Sequence, residues 1–169
     1  ALINEFKIIF DALNIDIYMV LSAARTKWNF LDFRPGLVGG HCISIDPYYL
    51  SYKANEINMR TEILNSARFV NLSMAKYEAN IFVKKLSRNS LKSVSDKILI
   101  LGITFKENCN DTRNSMVSHL AEEIKEFGWK VHGYDPLVSD IPQGWTSIKY
   151  VQDPKTDYYA GIFVAVAHN

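Results

Sequence analysis

One cysteine and one carboxylate, four residues apart, are the residues best suited to covalent chemistry in this sequence. Cys42 follows a loop that holds Pro35 and three glycines, and Asp46 directly precedes Pro47. Glycine lets a backbone lie close against a ligand, so the loop could form a pocket wall with a reactive thiol on its rim. The pattern is equally typical of an ordinary loop with a buried cysteine, because cysteine is among the most buried residue types.

Asp46 also has a purely structural interpretation. A carboxylate followed by proline at the first helical position is a common helix start. We therefore predict a helix from Asp46 to about Ile57, in which the Asp46 carboxylate caps the first backbone N–H groups. His41, Cys42 and Asp46 are also three potential metal ligands, but no second cluster completes a site. We expect no metal.

Length and composition indicate a globular chain with a real core. The 169 residues suffice for one domain or two small ones, with 48% apolar and 22% charged residues. A net charge of +1 gives no electrostatic reason to expect nucleic acid or a membrane surface as a partner. Cys42 and Cys109 are too few and too far apart for a disulfide scaffold, so we expect a reducing cytoplasm.

The first half of the chain predicts helices. Apolar spacing indicates a helix over 2–13 that Asn14 ends, and Asp16 is placed to cap a second helix that runs to about Thr26. A longer helix runs from Thr61 to about Ser87 without glycine or proline, which gives it a length of ~38 Å. Its apolar residues lie on more than one side, which favours a helical hairpin partner or a dimer interface. We prefer a homodimer through residues 61–87 to a monomer.

Strands alternate with helices beyond a polar segment at 87–93. Short apolar runs predict strands at 97–102, 129–134, near 147–148 and at 161–166, with a helix that Asn114 or Ser115 caps and Gly128 ends, and a helix near 156–159. This order predicts a parallel α/β sheet with right-handed connections. We divide the chain into a helical domain, 1–88, and a sheet domain, 89–169.

The connection after the first strand could bind an anion. Lys106 and Arg113 lie in this long polar loop, just before a predicted helix N-terminus. Alternatively, the charges pair among themselves, as Asp111 could with Arg113. The loop lacks GxGxxG, which argues against dinucleotide binding. Asp135, after the second strand, fits either a ribose-binding carboxylate or, more simply, the exit from a strand into a turn.

Two long motifs identify a family resemblance. Residues 35–50, PGLVGGHCISIDPYYL, and 101–115, LGITFKENCNDTRNS, resemble the UDP-glucose/GDP-mannose dehydrogenase family, as does Tyr134-Asp135-Pro136. The first motif is similar to that of the UDP-N-acetylhexosamine 6-dehydrogenases of surface-polysaccharide synthesis. The resemblance implies a helical dimerisation domain followed by a Rossmann-like domain that binds UDP. It also implies an N-terminal NAD-binding domain that this chain lacks, so we expect a fragment that is inactive alone.

The resemblance also implies roles for particular residues. Cys42 takes the position of the cysteine that forms a thiohemiacetal and then a thioester, while the sugar's 6-hydroxyl is oxidised to a carboxylate with two NAD. Asp46 matches the carboxylate that orients or deprotonates water. The positions implied for substrate binding are Phe33, Gly39, Gly40, Lys106 and Arg113. A non-catalytic module that binds nucleotide sugars or dimerises is the alternative.

Overall fold

The computed structural model describes residues 1–88 and 95–169. The predicted polar segment at 87–93, and with it the proposed boundary between 88 and 89, lies partly outside the described residues. The helices are α1 (Leu2–Ala12), α2 (Ile17–Ala24), α3 (His41–Glu56), α4 (Glu62–Arg88) and α5 (Val117–Glu126); the strands are β1 (Lys97–Leu101), β2 (Lys130–Tyr134), β3 (Lys149–Tyr150) and β4 (Gly161–Val164).

The helices confirm much of the predicted local structure. Tyr18 N–H donates a hydrogen bond to the Asp16 carboxylate at the start of α2, at 2.8 Å. α4 is a single helix of 27 residues. Near 156–159 the chain makes only a short 3-10 turn, Thr156–Tyr158. None of the helices within the described ranges is long and apolar enough to cross a membrane.

The predicted start of α3 is wrong. The helix begins at His41, so Asp46 and Pro47 lie inside it and Asp46 does not cap it. Gly40 is the residue before the first turn, with φ at 96° and ψ at 172°, a conformation that L side chains rarely adopt. The backbone freedom of this glycine allows the helix to begin before the Asp-Pro pair. Pro47 is tolerated in the helix at the cost of one backbone hydrogen bond.

The four strands form one parallel sheet in the order β3-β2-β1-β4, which confirms the predicted fold class. Ile98 in β1 is paired with Val131 in β2 and with Gly161 in β4. The third strand lies at 149–150, slightly later than predicted, and the last ends at Val164. The strand order changes direction between β1 and β4, and ligands of such sheets bind at the carboxyl ends near this switch.

The main core joins α4 to the sheet. Ile98 and Ile100 from β1 are fully buried with Leu120 from α5. Four residues of α4 belong to the same core: Ala75, Ala79, Val83 and Leu86. A Cβ on Gly161 would lie 2.7 Å from Leu86 and 3.0 Å from Phe82, so this glycine permits the close approach of β4 to α4. The long helix therefore belongs both to the helical region and to the sheet region.

Candidate functional site

Cys42 and Asp46 lie on one face of α3. Both residues are exposed, and a spacing of four places their Cβ atoms about 5–6 Å apart on a helix. Cys42 is in the first turn, where the helix dipole favours negative charge, as a thiolate would carry. The corrected start of α3 thus places a thiol at a helix N-terminus with a carboxylate one turn away.

Gly39 and Gly40 fix this helix N-terminus against the loop that follows β1. Both are buried: a Cβ on Gly39 would lie 2.5 Å from the carbonyl oxygen of Asn114, and one on Gly40 would lie 2.9 Å from the Phe105 ring. Gly40 N–H also donates to the Asn114 carbonyl at 3.3 Å. These contacts give the two glycines a packing role. Their part in substrate binding stays a prediction.

The loop after β1 brings the two predicted cations to the same region. Arg113 is paired with Asp111 through Nε and Nη2, at 3.0 Å and 2.6 Å from Oδ2, which lowers the pKa of Asp111 to about 2. The pKa of Arg113 is raised, chiefly by this hydrogen bonding, with smaller contributions from Cys109 and Cys42. The Arg113 guanidinium therefore lies in the same region as both thiols.

Lys106 differs from Arg113 in its surroundings. It is exposed, and its Nζ lies 5.4 Å from the centroid of the Phe105 ring that also packs on Gly40. Lys106 takes part in none of the ion pairs formed among the described residues. The predicted alternative, in which charges of the loop pair with one another, therefore applies to Arg113. The Lys106 ammonium is outside these pairs and available to a ligand. Phe33 is 61% exposed and takes no part in these contacts.

A buried asparagine holds the glycine loop from the other side. Asn4 in α1 is 2% exposed, and its Oδ1 accepts a hydrogen bond from Gly36 N–H at 2.8 Å. Its Nδ2 donates to the Gly36 carbonyl and to Asn71 Oδ1, both at 3.0 Å. Sequence reasoning missed Asn4, because its partners lie 32 and 67 residues away. The only available signal was an uncharged polar residue inside a helix.

Asp135 binds the backbone at the start of the loop after β1. It is fully buried, and its carboxylate accepts hydrogen bonds from the backbone N–H groups of Ile103 at 2.7 Å and Leu137 at 2.8 Å. Burial alone would raise the pKa of Asp135, but these bonds and one from His168 hold it below its ordinary value. A ribose hydroxyl has no free access to this carboxylate. The structure therefore favours the interpretation of Asp135 as the exit from a strand into a turn. Sequence reasoning missed its partner His168.

A cavity of about 300 Å³ lies beside the N-terminal half of α3. It is bounded by α3, α4 and the start of α5, with Ile43, Asn114 and His119 among its lining residues. The Arg68 guanidinium stacks 3.7 Å from the centroid of the Tyr48 ring at its edge. None of the predicted site residues lines this cavity, so it borders the Cys42 face without including it.

The described residues offer no evident metal site. Within residues 1–88 and 95–169, no three His, Cys, Asp or Glu side chains are grouped to hold a metal ion. A Cβ on Gly102 would clash with the backbone and side chain of Val166, so this glycine permits the close approach of the segment after β4.

Two family models match the chain in succession. The central domain of the UDP-glucose/GDP-mannose dehydrogenase family matches residues 1–73, and the UDP binding domain of the same family matches residues 99–169. The chain belongs to the UDP-glucose/GDP-mannose dehydrogenase family. This membership confirms the resemblance carried by the two sequence motifs.

Individual relatives support the same assignment. Protein CapL of Staphylococcus aureus is 52% identical over 131 residues, which cover 78% of this chain and 31% of CapL. UDP-N-acetyl-D-glucosamine 6-dehydrogenase of Pseudomonas aeruginosa is 44% identical over 170 residues, covering 100% of this chain and 40% of that enzyme. The chain thus spans less than half the length of either relative.

A solved structure supports the fold. The UDP-D-ManNAc dehydrogenase of Pyrococcus horikoshii superposes with a TM-score of 0.80 at 27% identity, covering 99% of this chain and 38% of that one. The agreement spans both the helical and the sheet regions of this family member.

Proposed function

We propose that this chain is the central and UDP-binding part of an NAD-dependent UDP-N-acetylhexosamine 6-dehydrogenase of surface-polysaccharide synthesis, working in the cytoplasm. The observation that carries the proposal is the placement of Cys42 in the first turn of α3, with Asp46 one turn further on the same face. The 44% identity to a UDP-N-acetyl-D-glucosamine 6-dehydrogenase over the full chain supports the substrate class.

Cys42 is the proposed covalent catalyst. Its thiolate adds to the C6 aldehyde of the sugar, which forms a C–S bond and gives a thiohemiacetal. Oxidation of this adduct gives a thioester, which water hydrolyses to the carboxylate as the C–S bond breaks. A thiol suits both steps, because it is intrinsically nucleophilic and also leaves readily. Cys42 lies in the first turn of α3, where the positive end of the helix dipole faces any negative charge that develops on its sulfur.

Asp46 is the proposed partner of the attacking water. A carboxylate one helical turn from the thiol can accept a proton from water as that water attacks the thioester carbon. Because Asp46 does not cap α3, its oxygens are not committed to backbone N–H groups in the first turn. Lys106, which keeps its charge outside the ion pairs of the described residues, is the proposed contact to the substrate near the reacting end.

NAD, bound by the N-terminal domain that the family resemblance implies, supplies the hydride acceptor for both oxidations. The first converts the 6-hydroxyl to the aldehyde, and the second converts the thiohemiacetal to the thioester. The residues of this chain contribute the thiol, the carboxylate and the contacts to the UDP-sugar. Phe33, Gly39, Gly40 and Arg113 complete the proposed substrate-binding set. The two glycines act by holding the Cys42 helix against the loop that carries Lys106.

We further propose a homodimer through α4. Ile63 is 84% exposed and Phe69 is 74% exposed on this helix, although both are apolar. Leu2 of the neighbouring α1 and Leu13, directly after this helix, are each 60% exposed, so apolar surface extends from α4 to α1. A second copy of the chain that covers this surface would remove it from water.

The test is a comparison of turnover and binding in the complete dehydrogenase. Cys42→Ala is expected to abolish formation of the uronate while the affinity for UDP-N-acetylglucosamine stays within about twofold, because the variant removes the nucleophile and leaves the UDP contacts. Cys109→Ala is the matched control, since Cys109 is the second thiol near Arg113 and has no proposed role in catalysis. Its turnover should remain close to that of the wild type.

Two results would contradict the proposal. Unimpaired turnover in Cys42→Ala would remove this thiol from the mechanism. Binding of UDP-N-acetylglucosamine with no turnover by the complete wild-type protein would favour the alternative, a non-catalytic module that binds nucleotide sugars. A panel of UDP-N-acetylhexosamine epimers in the same assay identifies the preferred sugar.

A further inference from the structure

His168 connects the segment after β4 to Asp135 and to the loop after β1. Its side chain is 7% exposed and lies at the carboxyl end of the sheet, beyond β4. One ring nitrogen, Nε2, is 3.0 Å from Asp135 Oδ2, and the other, Nδ1, is 2.9 Å from the backbone nitrogen of Asn108. Asp135 already accepts bonds from three backbone N–H groups, so it does not require His168 for its own hydrogen bonding.

These partners fix the tautomer of the imidazole. A backbone N–H can only donate, so Nδ1 must be the acceptor in the bond from Asn108. A neutral imidazole with an unprotonated Nδ1 carries its proton on Nε2, which then donates to the buried carboxylate of Asp135. The hydroxyl of Thr104 agrees with this assignment, because it donates to the Lys106 carbonyl at 3.0 Å and turns a lone pair toward Nε2 at 3.4 Å.

The loop that His168 holds is the loop that carries Lys106. Asn108 has φ at 54°, a left-handed conformation, and its backbone N–H points at the imidazole. The Asn108 side chain also accepts a hydrogen bond from Asn169 N–H at 2.9 Å. Two bonds thus anchor the loop two residues after Lys106, while the Thr104 hydroxyl anchors the Lys106 carbonyl itself.

We propose that His168, held as the Nε2–H tautomer between Asp135 and Asn108, is a positioning residue that fixes the 104–108 loop so that Lys106 meets the UDP-sugar. The inference rests on the proposed function, because it assigns Lys106 to the substrate. His168 itself does not touch the reacting atoms. It acts through the loop, by accepting one backbone hydrogen bond at a defined position.

The first experiment reads the tautomer directly. In the ¹⁵N-labelled chain of 169 residues, the imidazole nitrogens of His168 are expected to show a pyridine-like Nδ1 and a pyrrole-like Nε2 near neutral pH. The opposite assignment would overturn the inference, because an Nδ1–H could not accept the Asn108 bond. This measurement needs no ligand, so it is independent of the proposed activity.

Two substitutions separate the two bonds of His168. The amide of His168→Gln reaches the Nε2 position and keeps a donor for Asp135, but it offers no acceptor at the Nδ1 position. His168→Asn keeps an acceptor near the Nδ1 position and loses the bond to Asp135. We expect His168→Gln to weaken binding of UDP-N-acetylglucosamine about fivefold to tenfold, and His168→Asn to bind within about twofold of the wild type. Circular dichroism confirms that each variant is folded.

A double-mutant cycle with Lys106→Met tests whether His168 acts through Lys106. If it does, His168→Gln should add less than about twofold to the loss already caused by Lys106→Met, because the positioned charge is then absent. Fully additive losses, or wild-type affinity in His168→Gln, would overturn the inference and leave the proposed function intact. Failure of the wild-type chain to bind UDP-N-acetylglucosamine would overturn the proposed substrate role of both residues.

Discussion

The two parts of α4 have the same kind of sequence and opposite surroundings. In residues 62–73, Ile63 and Phe69 are 84% and 74% exposed. In residues 74–88, Met74 is fully buried and Leu86 is 8% exposed. Apolar residues recur along both parts at helical spacing, so the difference lies in what covers them. α5 and β4 pack on the later part, and no element among the described residues packs on the exposed side of the earlier part.

Polar contacts join α1 to both parts of α4. α1 turns Asn4, Lys7 and Asp11 toward α4: Asn4 bonds to Asn71, and the Tyr77 hydroxyl donates to Asp11 at 2.6 Å. The Lys7 ammonium lies 2.7 Å from Asp11. The apolar residues of α1 point partly outward. A helix with amphipathic spacing therefore need not bury its whole apolar face against the other described residues.

The largest expected effect contrasts two substitutions within α4. Leu86→Ala should lower the free energy of unfolding by about 2–5 kcal/mol, because it leaves a cavity beside Gly161 and the sheet core. Ile63→Ala should change it by less than about 0.5 kcal/mol in the monomer, since its side chain is in water. Urea denaturation at protein concentrations below dimerisation measures both. Equal losses would contradict the contrast between the two parts.

The second expected effect tests the polar anchoring of the helical region. Asn4→Ala should cost about 2–3 kcal/mol, because it leaves the N–H and carbonyl of Gly36 and the amide of Asn71 without their buried partner. Asn55→Ala, at an exposed position of α3, is the control and should cost less than about 0.5 kcal/mol. The same denaturation experiment measures both variants. A negligible cost for Asn4→Ala would show that the glycine loop is held by other contacts.

The third expected effect concerns the exposed part of α4. If a second copy covers it, Phe69→Ala should weaken dimerisation by about 2 kcal/mol, roughly 30-fold in the dissociation constant. Phe127→Ala is the matched control, because Phe127 is 46% exposed but lies after α5 in the sheet region. Sedimentation equilibrium distinguishes them. A monomeric wild type would contradict the proposed homodimer, and so would equal weakening by both substitutions.

The smallest expected effect is the pH dependence of the buried carboxylate in the sheet region. The folded-state pKa of Asp135 is below its ordinary value, so its ionised form stabilises the fold above the unfolded pKa of about 3.9. That contribution is lost as pH falls through the folded-state pKa. His168→Asn removes one donor, which should raise the pKa of Asp135 and move the loss of stability to higher pH. Carboxyl ¹³C titration of wild type and variant measures the shift; identical titrations would exclude the bond.

The sequence predicted the sheet region well because its signals are local. Buried strands such as 97–101 are short apolar runs with turn residues at each end, and their parallel order follows from the helix between them. The N-cap at Asp16 and the uninterrupted pattern of α4 were equally local. The start of α3 was predicted wrongly, because the Asp-Pro signal competes with Gly40, whose backbone conformation is stabilised by distant contacts to Asn114 and Phe105.

For the candidate site, the sequence alone determined the residue types and their spacing along the chain: a thiol, a carboxylate four residues later, and two cations in a loop before a helix. The tertiary structure decided what each could do. It placed Cys42 and Asp46 on one helix face, paired Arg113 with Asp111, and kept Lys106 apart. It also brought Asn4 and His168 into hydrogen bonds with partners that are 32 to 67 residues away along the chain. Spacing along a chain fixes neighbours within a helix, but contacts between distant segments depend on how the whole core packs.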